Sequence, residues 1–191
     1  MSFEIKDNKL ILLKDKYSVR ELKRIIKLCD KNNLELILNN KDEDLNNVKT
    51  ALTYKTREER YNYIYDTICK KLDDRIINEN YCEFENDVCV RFKKENPNHK
   101  NGCCEWSGRG KCKYLIDSVC TMKTCMACKI FTCKFLEKEK GIKQSINDFL
   151  LAKLFFNRNQ RYILECSFWT PKEIVMKRLL ANKMNAEKKE S

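Results

Sequence analysis

The sequence predicts an α+β protein, in which a small N-terminal α/β unit precedes a mainly helical domain with an irregular, cysteine-rich, metal-binding centre. Three observations predict this class. Short apolar runs flank an amphipathic helix near the N-terminus, and helical periodicity dominates most of the remaining chain. That periodicity is lost between residues 81 and 135, where the cysteines concentrate. The expected domains are residues 1–50 and 51–191, with the cysteine cluster at 82–133.

The N-terminal unit is expected to contain two or three strands. Lys9–Leu13 and Leu34–Leu38 are short apolar runs with strand character. Phe3–Lys6 is a candidate third strand, joined to its neighbour by the turn-forming pair Asp7 and Asn8. Because a helix lies between the two apolar runs, they are expected to pair in parallel through a crossover.

A capping box and an apolar stripe predict that helix. Ser18 and Glu21 have the S-x-x-E spacing of a helix start, and Asn32 with Asn33 is expected to end it. Its apolar residues follow the i, i+3, i+4, i+7 pattern of one helix face. They are Leu22, Ile25, Ile26 and Cys29.

The helical domain is expected to follow a polar linker at residues 39–47. Thr56 and Glu59 form a second capping box, and Thr170, Pro171 and Glu173 form a third, with proline at the first helical position. One face of the helix after Thr56 is apolar: Tyr61, Ile64, Tyr65, Ile68 and Leu72. Residues 142–154 predict one further helix, marked by Ile142, Ile146, Phe149, Leu150 and Leu154.

The charge balance is basic but does not by itself predict nucleic-acid binding. The 191 residues include 39 Lys and Arg against 28 Asp and Glu, a formal charge of +11. A four-thiolate site holding a divalent ion carries about −2, so two such sites would lower the charge to roughly +7. The basic surplus is also spread along the chain, without a basic arm. Zinc-dependent nucleic-acid binding is therefore the weaker alternative.

The N-terminal residues and the cysteine content predict a cytoplasmic protein. Charged residues interrupt any apolar signal-peptide core near the N-terminus, and no run approaches the roughly 18 apolar residues of a membrane span. Thiols stay reduced in the cytoplasm, so the 12 cysteines indicate metal or redox chemistry and not disulfides.

Nine of the 12 cysteines lie in one window of the chain and are the candidate metal ligands. They are Cys82, Cys89, Cys103, Cys104, Cys112, Cys120, Cys125, Cys128 and Cys133. The other three, Cys29, Cys69 and Cys166, lie in periodic apolar contexts. Free cysteine packs as a small hydrophobic residue, so these three are expected in the core.

The spacing explains why the nine cysteines would bind metal. Zinc needs four thiolates or imidazoles in a tetrahedron, and a C-x2-C pair such as Cys125 and Cys128 supplies two from one turn. Cys120 precedes this pair and Cys133 follows it, each by a C-x4-C spacing. The adjacent Cys103 and Cys104 are expected to point to different sites or to supply one ligand. Cys82, Cys89 and Cys112 would complete a second set.

Zinc is the preferred metal, and iron or an iron–sulfur cluster is the alternative. Cys120, Cys125 and Cys128 have the C-x4-C-x2-C start of plant-type ferredoxins, whose fourth cysteine lies far downstream, whereas Cys133 is close. His99, the one histidine, is either a further ligand or an exposed loop side chain. Common hydrolytic sites use a histidine base, and no phosphate-binding glycine motif is present, so the sequence favours a non-catalytic protein.

Two classes of function follow. The first is a non-catalytic structural or interaction module that chelates one or two metal ions, for which a protein is one candidate partner. The second is an iron–sulfur protein of redox or electron-transfer chemistry. The sequence does not identify the partner.

The cluster resembles zinc- or iron-chelating cysteine-cluster proteins, and most closely a set of uncharacterised cysteine-rich proteins from anaerobic Firmicutes. The resemblance spans roughly residues 57–182, omits residues 1–55, and implies metal chelation without a defined reaction. A cysteine expected soon after the Cys-Cys pair is replaced here by Trp106 or Ser107. The matching elements are Cys103-Cys104, then Cys112 with Tyr114 and Leu115, then Cys120 with Lys123, then Cys128 with Cys133.

Overall fold

The computed structural model has the α+β architecture that the sequence predicts, with a three-stranded N-terminal sheet and a mainly helical remainder. The structure describes residues 3–14, 16–38, 42–79, 84–85, 88–89, 94, 97–98, 115–116, 119–120, 125–132 and 134–187.

The N-terminal sheet contains all three predicted strands, in the order β1-β2-β3. Strand β1 (Phe3–Lys6) pairs antiparallel with β2 (Lys9–Leu12). Asp7 and Asn8, at φ 48° and 59°, are both left-handed, which is the conformation of a tight two-residue hairpin turn. Strand β3 (Glu35–Ile37) lies parallel to β2, so the predicted crossover is confirmed.

Helix α1 (Val19–Asn32) forms this crossover, and its predicted ends are confirmed. Ser18 and Glu21 form the reciprocal capping box, and Asn33 ends the helix in the left-handed conformation. All four residues of the predicted apolar stripe are buried: Leu22, Ile25, Ile26 and Cys29.

Helix α2 (Glu43–Thr53) overturns part of the linker prediction, because residues 43–47 are helical; residues 39–41 lie outside the described residues. Asp42 caps the helix by accepting from the Leu45 N–H at 2.9 Å. Leu45 and Val48 are buried and fix this polar helix to the core. The expected boundary between residues 50 and 51 falls inside α2, and the division into two domains stays a prediction.

Helix α3 (Arg57–Glu79) is the longest helix that the structure describes and begins at the predicted Thr56–Glu59 box. The predicted apolar face is buried along its whole length: Tyr61, Ile64, Tyr65, Ile68 and Leu72.

The described residues of the cysteine-rich centre form short elements. Two antiparallel pairs of two-residue strands come first, and two short helices follow. The elements are β4 (Phe84–Glu85), β5 (Val88–Cys89), β6 (Leu115–Ile116), β7 (Val119–Cys120), α4 (Met126–Ile130) and α5 (Lys134–Glu139).

The C-terminal part departs from the single helix predicted at 142–154. A 3₁₀ turn (Ile146–Asp148) and helix α6 (Leu150–Phe155) occupy it. The break has a local cause, because Ser145 caps the 3₁₀ turn and Phe149 is extended at φ −92° and ψ 122°. Helices α7 (Arg158–Cys166) and α8 (Lys172–Glu187) follow, and α8 begins where Pro171 predicts.

One hydrophobic core joins residues from Leu10 in β2 to Leu179 in α8, with α3 contributing from its middle. Gln160 of α7 is buried in it and donates to the Tyr61 hydroxyl at 3.1 Å and to the Leu179 carbonyl at 2.9 Å. Its amide therefore links α3, α7 and α8. Among the described residues, no helix has both the length and the hydropathy needed to cross a bilayer.

Candidate metal centre

Helix α4, which carries the C-x2-C pair, is held against α3 by two polar contacts. The Met126 N–H donates to the Tyr65 hydroxyl at 3.1 Å, and both residues are 1% exposed. The Lys129 ammonium pairs with the Asp73 carboxylate, and the Lys129 side chain is 6% exposed. Each contact joins residues more than 50 positions apart in the sequence. The position of α3 therefore determines where the cysteine pair lies.

Cys125 and Cys128 are brought together by this helix. Cys125 occupies the position before the first turn of α4 and is 1% exposed, whereas Cys128 is half-buried. Cys128 packs directly against Cys125. The C-x2-C spacing therefore places Cys125 and Cys128 in contact on one helix turn, and their ligation of a metal stays a prediction.

The surroundings of Cys125 favour its thiolate. The pKa of Cys125 is lowered to about 6, chiefly because the Cys128 thiol donates to its sulfur, with burial opposing the shift. The backbone N–H groups of Cys128, Thr170 and Trp169 add to the lowering. Cys125 is also the donor in a contact of 3.5 Å with the Ser167 carbonyl oxygen. The lowered pKa makes the thiolate, the form of cysteine that binds metal, accessible near neutral pH.

Cys69 of α3 lies near this pair but has the opposite electrostatics. It is buried, and burial raises its pKa to about 12, with only a partial offset from the Lys129 ammonium. At neutral pH it is a thiol packed in the core. No group of three or more His, Cys, Asp or Glu side chains that could hold a metal occurs in the part of the chain that the structure describes.

Most of the remaining predicted ligands lie outside the described residues. The structure describes the backbone of Cys89 in β5 and of Cys120 in β7, each at the end of its strand. The other candidates lie outside the described residues: Cys82, Cys103, Cys104, Cys112, Cys133 and His99. Their ligation stays a prediction.

Of the three cysteines assigned to the core, Cys29 and Cys69 are buried, as predicted, but Cys166 is exposed. The cause is helix geometry. Gln160 and Leu164, one turn apart, define the buried face of α7. Cys166 is two residues past Leu164, which places it on the opposite side of the helix.

Sequence reasoning did not find three contributors to the site. The sequence predicts Tyr65 only as a core residue; it is buried in the core, and its hydroxyl also accepts from the Met126 N–H of α4. No sequence motif marks Lys129 or the turn at residues 167–170. Lys129 contacts Asp73 and the turn contacts Cys125 only because the fold brings these distant residues together.

We expect Cys166 to be alkylated by iodoacetamide in the native protein well before Cys29 and Cys69. Cys166 is exposed, while burial raises the pKa of Cys29 to about 11 and of Cys69 to about 12, so neither forms appreciable thiolate at neutral pH. Timed labelling with peptide mass mapping measures each site separately. If Cys69 were labelled as fast as Cys166, the core around α3 would be accessible to the reagent.

Comparison of the chain with protein-family models, with curated proteins and with solved structures gives no match. The resemblance to cysteine-cluster proteins therefore stays a prediction, and the site is interpreted from its own chemistry.

Proposed function

We propose that this chain is a metal-binding protein that chelates one or two zinc ions, or iron, through cysteines of the 82–133 window. In this role it is a non-catalytic structural or interaction module of the cytoplasm. The observation that supports the proposal is the arrangement at α4, where Cys125 and Cys128 are in contact at one helix start and hydrogen bonding lowers the pKa of the buried Cys125 to about 6.

The pair fits half of a tetrahedral thiolate site. For Zn–S bonds of about 2.3 Å, two sulfurs on one zinc ion lie about 3.8 Å apart, so thiols already in contact need little rearrangement. Backbone N–H groups that donate to a ligating sulfur offset part of the negative charge that thiolates bring to the ion. Cys120 and Cys133, each five residues from the pair, are the nearest candidates for the other two ligands.

Exposure argues against a dithiol–disulfide enzyme. Thiol–disulfide exchange requires the low-pKa thiolate to reach a disulfide on another molecule. Here the low-pKa sulfur belongs to Cys125, which is 1% exposed, while the more accessible Cys128 donates to it. A buried thiolate beside an accessible thiol suits a closed metal site better than a nucleophile.

Iron–sulfur ligation is the second candidate, favoured by the C-x4-C-x2-C spacing of Cys120, Cys125 and Cys128. Both metals would use the same thiolates, since ligand softness suits both. Zinc is preferred because Cys133 is close to the pair, as in closed four-cysteine zinc sites.

We expect chelator-free, anaerobically purified protein to contain one or two metal equivalents and to be colourless. Elemental analysis, an absorption spectrum and an acid-labile sulfide assay give the metal and its form. Brown protein with acid-labile sulfide would indicate an iron–sulfur cluster in place of zinc. That result would favour the electron-transfer function. Metal-free protein with freely reactive thiols and an unchanged fold would refute metal binding altogether.

Two cysteine variants provide the matched comparison. Cys128→Ser should lower the metal content by one equivalent, because it removes one ligand of the chelating pair. Cys166→Ser removes an exposed thiol outside the pair and should keep the wild-type metal content.

A further inference from the structure

Strand β1 is an edge strand of the N-terminal sheet, and in the part of the chain that the structure describes only β2 pairs with it. Glu4, Ile5 and Lys6 are exposed, and Ile5 leaves 51% of its apolar side chain accessible. An edge strand can pair with a strand of another molecule through its outward backbone groups. The register and the charges of β1 therefore decide which strand it accepts.

The β1–β2 hairpin shows which backbone groups of β1 point outward. Lys6 and Lys9 flank the two-residue turn, which makes them a hydrogen-bonded pair. Opposite residues of an antiparallel pair alternate between hydrogen-bonded and non-hydrogen-bonded, so Ile5 and Leu10 form a non-hydrogen-bonded pair. The N–H and C=O of Ile5 consequently point away from β2, toward the outer edge.

The pairing of β2 with β3 agrees with this orientation. The Glu35 N–H donates to the Asn8 carbonyl oxygen at 3.0 Å, so the Asn8 carbonyl points to β3. Backbone orientation alternates along a strand, so the groups of Leu10 also point to β3 and not to β1. Leu10 therefore does not bond to Ile5, as the hairpin register requires.

The sequence of β1 is complementary to itself in one antiparallel register. When two copies pair about a two-fold axis at Ile5, the outward N–H and C=O groups of Ile5 bond to those of the other Ile5. The same register places Glu4 of each copy opposite Lys6 of the other, and opposite charges directly across a strand pair are stabilising. An axis at Glu4 would instead bring two carboxylates together, which is destabilising.

We propose that this chain forms a two-fold symmetric homodimer, in which β1 pairs antiparallel with β1 of a second copy about Ile5. Two three-stranded sheets then join into one sheet of six strands. The interface is isologous, as two-fold symmetry demands, and it covers the exposed Ile5 side chain of each copy. Because β1 has only four residues, the interface is small and the dimer is weak and concentration-dependent. The inference is independent of metal binding.

Charge reversal tests the proposed register. Sedimentation equilibrium of the full chain is measured over a concentration series, with a reductant present to exclude disulfide-linked copies. We expect Lys6→Glu and Glu4→Lys each to weaken the dimer about tenfold, because each creates two like-charge pairs across the axis. The double variant, and an equimolar mixture of the two single variants, should recover the wild-type affinity. Lys23→Glu makes the same charge change on the exposed side of α1 and should have little effect.

A backbone variant tests the hydrogen bonds themselves. Ile5→Pro removes the outward N–H of Ile5, and edge strands tolerate proline where the N–H faces solvent. We expect this variant to fold and to remain monomeric. Wild-type protein that is monomeric at every concentration would overturn the proposal. A dimer that both single charge variants leave unchanged would overturn it too, since another surface would then form the contact, and so would a mixture of these variants that recovers no dimer.

Discussion

Removal of the metal by a chelator is expected to release the cysteine-rich segment and to leave the helices of the core folded. Between residues 81 and 135 the apolar residues are scattered among cysteines and turn formers. They are too few to offset the roughly 1–2 kcal/mol per residue that backbone ordering costs. A structural zinc site would supply on the order of 10 kcal/mol of apparent binding free energy, enough to order tens of residues only where neighbouring elements help.

The flanking helices have their own source of stability. Ile64 and Leu72 of α3 and Leu179 of α8 are 0% exposed and belong to the one core cluster. Helix α4 should behave like them and not like the rest of the segment, because Met126 and Ile130 are buried in that cluster and Tyr65 anchors its first turn. The expected result is therefore a helical remnant that includes residues 126–130.

Hydrogen exchange resolved by segment, with and without chelator, measures this directly. We expect fast exchange at residues 81–124 after metal removal and retained protection in α3, α4 and α8. Cys128→Ser should reproduce the effect of the chelator. The matched control is Cys29→Ser, a buried change outside the cluster that should cost only about 1–2 kcal/mol of unfolding free energy. If residues 81–124 kept their protection from hydrogen exchange without metal, the cysteines would not stabilise the segment through metal binding.

The N-terminal unit could be predicted because its determinants are local. Asp7 and Asn8 adopt the left-handed turn, Ser18 and Glu21 form the capping box, and Asn33 ends α1. Each of these features is encoded within about four residues of sequence, the range over which caps and turns form.

The predictions that failed depend on competition between local signals or on tertiary contacts. The stripe at 142–154 has helical spacing, but Ser145 starts a separate turn and Phe149 breaks the helix. The polar composition of residues 43–47 is typical of a linker. These residues are helical instead, because Asp42 caps the helix and Leu45 is buried. Propensity alone does not show which of two competing signals prevails.

The site was predictable only in part, for the same reason. The C-x2-C spacing placed Cys125 beside Cys128, because four residues of one turn suffice. The contact of Cys125 with the Ser167 carbonyl joins residues 42 positions apart, and the anchor from Tyr65 to Met126 joins residues 61 positions apart, where a single sequence carries no signal.

Replacement of Tyr65 is expected to weaken both the fold and the metal site. Its ring is 1% exposed, and Tyr65→Ala should cost about 3–5 kcal/mol of unfolding free energy, as large aromatic truncations in cores do. Tyr65→Phe keeps the ring but removes the acceptor of the Met126 N–H, a donor in the first turn of α4 that has no partner within the helix. Leaving this buried donor unsatisfied should cost about 1–3 kcal/mol.

The decisive comparison is with Tyr63 on the same helix, whose hydroxyl donates to the Asn47 side-chain oxygen at 3.0 Å. Tyr63→Phe also loses one tyrosine hydrogen bond, but this bond joins α3 to α2, away from the cysteine pair. Chemical denaturation and zinc competition on both variants separate the two effects. We expect Tyr65→Phe to lower zinc affinity by about tenfold, since the first turn of α4 then orients Cys125 and Cys128 less firmly. Tyr63→Phe should lower stability by only about 0.5–1.5 kcal/mol and leave zinc affinity unchanged. If the two variants bound zinc equally well, the α3–α4 anchor would serve the fold alone, and the position of the cysteine pair would have to be set by the cluster itself.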